Sequence, residues 1–307
     1  MKKYIFYSFL FLSIVACDKV DDPFEGTSGP SFNIGGVEFI SDPSLNLTDS
    51  ADYADFILGH TWDSDVSPSN ENQRFIVLEE FTGHTCTFCP NGTREIVRLD
   101  DKYGDQLIPL GIHTGSFATP ATNGDKFTTD FRTEPHGGTY ATTFGSTSFP
   151  SGIVSRTSAS TTGLNDWEQA IISIKDDAPL ASLELTSYSS TETNTLRANI
   201  KFTWKQTLPE DYNLQVFLVE DNIVDWQLDN GVQNETYNHR HVLRMVVNDT
   251  FGKALDAAED GEGQEIQYIF PIDANWKVDD LEVIAYIFKD GTNGDYEIIQ
   301  ANASHVK

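Results

Sequence analysis

The chain has 307 residues, with 47 acidic against 20 basic side chains, a net charge of −27 and three cysteines. So strong an acidic excess excludes nucleic acid and anionic membrane surfaces as partners, because both would repel it. A chain this long calls for about two domains of ~100–150 residues, each with its own core.

Residues 1–17 read as a lipoprotein signal peptide. Lys2 and Lys3 form the charged end, Tyr4 to Leu12 the apolar body, and Ile14-Val15-Ala16-Cys17 a lipobox whose cysteine takes the lipid. The apolar stretch is too short for a comfortable membrane span. The plainer alternative is an ordinary secretory signal with an incidental cysteine. Loss of the leader, with Lys2 and Lys3, takes the charge from −27 to −29. Cys17 to Asp22 is acidic, and Pro23 to Pro30 has the Gly, Ser, Thr and Pro composition of a flexible linker. Phe32 to Ile40 predicts a strand. Residues 41–72, rich in Asp, Ser and Asn around Tyr53, Phe56, Ile57 and Trp62, suggest no role, so residues 18–72 are read as tether and N-terminal extension.

Phe75 to Leu78 and Phe81 form an apolar run that predicts a buried strand, followed by a short turn at Gly83. Cys86 and Cys89 then sit three apart, and beyond Pro90 the spacing of Ile96, Val97 and Leu99 turns helical. Cysteines so spaced at a helix start share one turn and can close a small disulfide ring. The free N–H groups and positive dipole end there favour a thiolate, which makes the first sulfur a nucleophile. No further cysteine is free to complete a zinc site with this pair.

Leu78-Glu79-Glu80-Phe81 leading to Cys86-Thr-Phe-Cys89-Pro90 resembles the active-site unit of the thioredoxin superfamily. The resemblance implies that Glu80 is a buried acid accepting the proton of the resolving Cys89, with Glu79 facing the other way. It departs from the superfamily at Thr85, where a tryptophan is usual, and at Thr87-Phe88, where Gly-Pro is usual. Those middle residues tune the redox poise.

Farther along, Leu107 to His113 predicts a second strand, parallel to the first through the helix between them. Residues 114–145, rich in Thr, Gly and Phe, read as an insertion, with helical spacing only around Asp125 to Arg132. Phe149-Pro150 precedes the next strand, where the resemblance implies a cis-proline facing the disulfide. A trans-proline starting that strand is the alternative. Leu164 to Lys175 predicts a closing helix with Trp167, Ile171, Ile172 and Ile174 as apolar positions. Short strand candidates follow at Leu183–Leu185, Leu196–Trp204, Leu214–Val219, Val242–Val247, Ile266–Phe270, Leu281–Phe288 and Tyr296–Ile299. Their spacing suggests an antiparallel, immunoglobulin-like β-sandwich of about seven strands. The fold class expected is α/β plus all-β: a thioredoxin-like domain with an insertion over residues 73–177, then the sandwich over 178–307.

The lipobox, the Glu79-to-Pro90 unit, Ile112-His113-Thr-Gly-Ser-Phe-Ala118, Phe149-Pro150-Ser-Gly-Ile-Val-Ser-Arg156 and Tyr237-Asn-His-Arg-His-Val-Leu-Arg244 together resemble the outer-membrane-protein-28-related lipoproteins of Bacteroidetes. That resemblance implies an outer-membrane, lipid-anchored protein. The acidic stretch after Cys17 resembles the signal that sends such lipoproteins to the cell surface; the periplasmic face is the alternative.

Two functions follow. One is a thiol–disulfide oxidoreductase with Cys86, Cys89, Glu80 and Pro150 at its centre, His84 and His113 in support, and protein disulfides as substrates. The other is a surface binding or adhesion protein in which the CxxC is a structural clasp. Neither calls for a cofactor or a metal. His239-x-His241 has chelating spacing without a third ligand in view, and the acidic loops at Asp256–Glu265 and Asp290–Asp295 read as hairpin turns.

Overall fold

The computed structural model describes residues 29–307, and Cys17 with the leader lies outside them. The N-terminal part supplies β1 (Ser31–Ile34), β2 (Val37–Ser41), α1 (Ser50–Gly59) and β3 (Asp63–Val66). The cysteine-bearing stretch follows as β4 (Ile76–Thr82), α2 (Cys89–Tyr103), β5 (Leu107–His113), α3 (Gly115–Ala118), α4 (His136–Thr143), β6 (Ser151–Val154) and α5 (Leu164–Ile174). The remainder is strand after strand: β7 (Ala181–Ser190), β8 (Thr195–Trp204), β9 (Tyr212–Glu220), β10 (Ile223–Asp229), β11 (Val232–His239), β12 (Val242–Val246), β13 (Lys253–Ala254), β14 (Gly263–Pro271), β15 (Leu281–Lys289) and β16 (Ile298–His305).

Among the described residues, one six-stranded sheet has the order β1-β2-β14-β8-β7-β3, and one eight-stranded sheet runs β16-β15-β9-β12-β5-β4-β6 with β13 beside β9. The fold is therefore mixed α/β, mostly strands with few helices. The two sheets face each other across a core of Leu183, Ile200 and Phe202 from one side and Val216, Leu218 and Val283 from the other. That layering is a β-sandwich. Its second sheet does not stop at the C-terminal strands, because β12 pairs in parallel with β5 at Val242↔Gly111. Gly111 N donates to His241 O at 2.7 Å, and a Cβ at residue 111 would lie 3.2 Å from that oxygen, an approach that suits glycine.

As the apolar run predicts, β4 and β5 are parallel, paired from Ile76↔Leu107 to Thr82↔His113, and β6 joins β4 antiparallel. Every residue of β4 is buried, as expected of a strand covered on both faces. On one face α2 and α5 lay Ile96, Leu99, Trp167 and Ile171 against Ile76 and Leu78. On the other, Val77 and Phe81 meet Tyr140, Phe144, Tyr286 and Phe288.

Several elements differ from the sequence reading. The strand at Phe32–Ile40 is a hairpin, broken where Gly35 and Gly36 take positive φ. Residues 41–72 pack into the sandwich: Tyr53 of α1 is buried with Ile269, and Asn70 bonds Leu183 N at 3.0 Å and Ala301 O at 2.7 Å. In the 114–145 insertion the helices fall at Gly115–Ala118 and His136–Thr143 rather than at Asp125–Arg132. Phe127 in that last stretch takes a positive φ of 57°, which a helix does not admit.

Candidate functional site

Alternate side chains of a strand point to opposite faces, so the neighbours Glu79 and Glu80 part company. Glu80 turns under the start of α2. A Cβ on Gly92 would sit 2.2 Å from Glu80 Oε1 and 3.0 Å from Pro150 Cβ, so the helix needs a glycine there. Glu80 is 3% exposed, and its Oε1 has no hydrogen-bond partner among the described residues. Burial pushes its pKa up to about 8, because the carboxylate gives up water without gaining a cation.

Cys86 and Cys89 are joined in a disulfide with their Cα atoms 5.4 Å apart. Cys89 opens α2 and Pro90 follows in the first turn, where a missing N–H is harmless. Cys86 stands in the preceding turn, its N–H donating to Gly83 O at 3.0 Å and its carbonyl accepting from Cys89 N at 3.3 Å. Phe117 is pressed onto the same turn: Thr85 N and Oγ1 both donate to its carbonyl, at 3.0 and 2.8 Å. The Phe149–Pro150 peptide is cis. The structure thus gathers Cys86, Cys89, Glu80 and Pro150 around the first turn of α2.

One element here is absent from the sequence reading. β10 and β11 form a separate two-stranded sheet that lies across the cysteine turn. Leu228 N donates to His84 O and Asn230 N to Thr87 O, both at 2.8 Å. Gln227, pushed inward at an irregularity in the hairpin register, donates to Cys86 O at 3.1 Å. Arg94 of α2 clasps Asp229 with two bonds of 3.1 and 3.0 Å. Under this cover Cys86 is 3% and Cys89 1% exposed, so the first sulfur does not stand out to solvent as its position before the helix suggests. Phe88 (59%) and Phe117 (44%) remain exposed nearby. The missed signal was Asn230-Gly231, the dipeptide of a tight hairpin turn, both at positive φ.

The supporting histidines are buried. His84 packs on Phe127 and Phe131, with ring centroids 5.7 and 6.0 Å away. Burial lowers its pKa, and neither ring nitrogen has a hydrogen-bond partner among the described residues. It is neutral near pH 7 and offers a thiolate no positive charge. His113 ends β5 with its ring 5.7 Å from that of His239, and burial, then His239, hold its pKa well below the ordinary value. His241 turns away instead, its Nδ1 3.4 Å from Asp221 Oδ1. The two imidazoles of the His-x-His pair do not converge, and no group of three or more His, Cys, Asp or Glu placed to hold a metal occurs among the described residues.

Glu79 meets a partner that the sequence did not reveal. Arg156 bonds it twice, at 2.8 and 2.7 Å, and reaches Tyr286 OH at 2.7 Å. The guanidinium lies over the rings of Phe144, Tyr286 and Phe288, 4.5 to 5.2 Å from their centroids. Burial opposes its charge, but Glu79 and Tyr286 outweigh that and raise its pKa. Arg156 itself sits at φ 53°, just past the end of β6.

Fold and site together define a strand-rich α/β protein carrying one covered disulfide at a helix start. The family model for outer membrane protein Omp28 matches residues 138–307, more than half of the chain, and the chain belongs to that family of outer membrane proteins. The matched span begins after the cysteine pair. Among solved structures, HBP35 of Porphyromonas gingivalis is similar at 21% identity and a TM-score of 0.60, covering 76% of each chain. That likeness is one of fold. A protein from Agrobacterium tumefaciens is similar over 74% of this chain and 92% of its own, at 14% identity and a TM-score of 0.45. No curated protein matches. No helix among the described residues is long and apolar enough to cross a membrane.

Proposed function

We propose that this protein is a thiol–disulfide oxidoreductase of the outer membrane, lipid-anchored through Cys17, surface-exposed, and built around a thioredoxin-like unit spanning residues 73–177. Cys86 is the nucleophile, Cys89 the resolving thiol, Glu80 the group that takes the proton of Cys89, and the backbone beside Pro150 the rest for an extended client. Protein disulfides are the substrates; with a net charge of −29 once the leader is lost, nucleic acid is not a partner. The observation that carries the reading is Glu80. A structural clasp has no use for a buried, unpaired carboxyl beside it, and burying one is costly, whereas a resolving thiol needs a base at that place.

The test is capture. Cys89→Ser leaves the nucleophile without its resolving partner, so mixed disulfides with clients should accumulate as higher-mass bands that collapse with reductant. Cys86→Ser/Cys89→Ser should lack them. Absence of discrete adducts in Cys89→Ser would favour a second reading, a surface binding protein with a structural CxxC. The burial of both sulfurs beneath β10–β11 supports that alternative.

A further inference from the structure

Behind Cys89 lies a cavity of about 10 Å³, room for one water molecule. Its wall includes Glu80 and Thr82 from β4, Cys89 from α2, His113 from β5, and Tyr237 and His239 from β11. Two of these residues carry buried polar atoms with no partner among the described residues: Glu80 Oε1 and His113 Nδ1. Both are more than nine-tenths buried, at 3% and 5% exposure. A polar-walled cavity of that size, lined by the two residues that carry these atoms, is where a bridging water satisfies buried groups.

We propose that this cavity is a one-water site joining the Glu80 carboxyl to the His113 imidazole, and that His113 is a positioning residue through which the buried carboxyl exchanges its proton. The use of the site rests on the oxidoreductase reading; its existence rests on the cavity and the two atoms alone. The charged and titratable groups facing it are Cys89 from α2, His84 from the preceding turn, Tyr237 and His239 from β11, and Arg240 and Arg244 beyond. Burial keeps His113 and His239 neutral at pH 7, the latter with its pKa pushed down to about 4. A neutral imidazole has one lone pair and one N–H, so it can take a proton on one nitrogen and release one from the other.

In the proposed turnover the Cys86 thiolate opens a client disulfide, giving a mixed disulfide and one client thiolate. Cys89 passes its proton to the Glu80 carboxylate, and the Cys89 thiolate then attacks the Cys86 sulfur, releasing the second client thiolate. The client gains two electrons, the cysteine pair loses two, and the proton stays on Glu80. Burial, which holds that carboxyl at about 8, keeps the proton there at neutral pH. It must leave before Glu80 can serve a freshly reduced pair, and the water and His113 provide the way.

The test uses full-length oxidised protein and the infrared C=O band of protonated Glu80, isolated by subtraction of the Glu80→Gln spectrum. On transfer from H₂O to D₂O at pH 7 the wild-type band should shift promptly. His113→Phe should slow that exchange roughly tenfold or more, as expected on losing a positioned proton carrier, and His113→Asn, which restores a polar atom, should recover much of it. Equal exchange in wild type and His113→Phe overturns the proposal. So does a wild-type carboxyl that exchanges no faster than the amides of β4, a readout that stands even where His113→Phe does not fold. Turnover separates the two readings. In repeated reduction of insulin disulfides with dithiothreitol as the electron source, His113→Phe should slow turnover while leaving iodoacetamide labelling of Cys86 unchanged. A wild type that reduces insulin no faster than dithiothreitol alone removes the oxidoreductase reading and leaves the infrared result in force.

Discussion

Glu79 and Glu80 are consecutive on one strand and almost equally buried, at 0% and 3% exposure, yet the protein treats their charges in opposite ways. On one face of β4 the carboxylate is locked to Arg156 and boxed in by rings. On the other the carboxyl is left without a cation and drifts toward neutrality. A buried ion pair fixes geometry; a buried lone carboxyl stores a proton. The first face of the strand holds a fixed ion pair, and the second a carboxyl whose charge depends on pH.

The largest effect should come from breaking the fixed face. Arg156→Met leaves Glu79 buried without its partner, and removal of one member of such a pair costs ~3–5 kcal/mol. Urea unfolding with the disulfide intact measures it, and adding Glu79→Gln should return much of the loss. An unchanged midpoint for Arg156→Met would mean that Glu79 is not held as an anion.

The other face should respond to pH instead. Glu80 titrates at about 8 when folded and near ~4.3 when unfolded. The folded state therefore binds the proton more tightly, and stability falls as pH rises from about 4.3 through about 8. Glu282 is also pushed up to about 8, by burial and then by Asp221, Asp100 and Asp105, so only the difference between wild type and Glu80→Gln isolates one group. Glu80→Gln is expected to be nearly neutral at pH 4 and stabilising by roughly 5 kcal/mol at pH 9. The same difference at both pH values would assign Glu80 an ordinary pKa.

The smallest effect concerns the cover. Arg94 and Asp229 are 52% and 24% exposed, so Arg94→Ala should cost below about 1 kcal/mol. It loosens β10–β11 over the sulfurs, however, and reduction of the disulfide by dithiothreitol should speed up roughly two- to fivefold. An unchanged rate would show that the hairpin does not limit access.

What could be read beforehand follows from what makes a local pattern. The buried strand at Ile76–Thr82, the helix after Pro90 and the parallel partner at Leu107–His113 are apolar runs with turn signals between them, so their order was legible. β11 was not, because Gln233, Asn234, Glu235, Thr236 and Asn238 give it no apolar period. The apolar pattern of β16 ends at Ile299 for a related reason. Its continuation places Gln300, Asn302 and Ser304 in the interior, where the Gln300 and Asn302 amides bond carbonyls of Asn70, Pro68 and Leu183. The Arg156 clasp joins residues 77 positions apart, and spacing in the sequence does not report such a contact. Nor does it report the pairing of β5 with β12, which carries one sheet through both halves of the chain.

That pairing orders events in time. Gly111 and Val242 are partners separated by about 130 residues, and closing so long a loop comes late and costs chain entropy. The cysteines, only three residues apart, can meet while much of the chain is still unformed. The hairpin that buries them, Ile223–His239, arrives from the far side of that loop. During folding the thiols therefore pass through an early window in which any oxidant can reach them, and assembly of the second half closes it. An agent that acts on the pair afterwards must be one for which the hairpin opens.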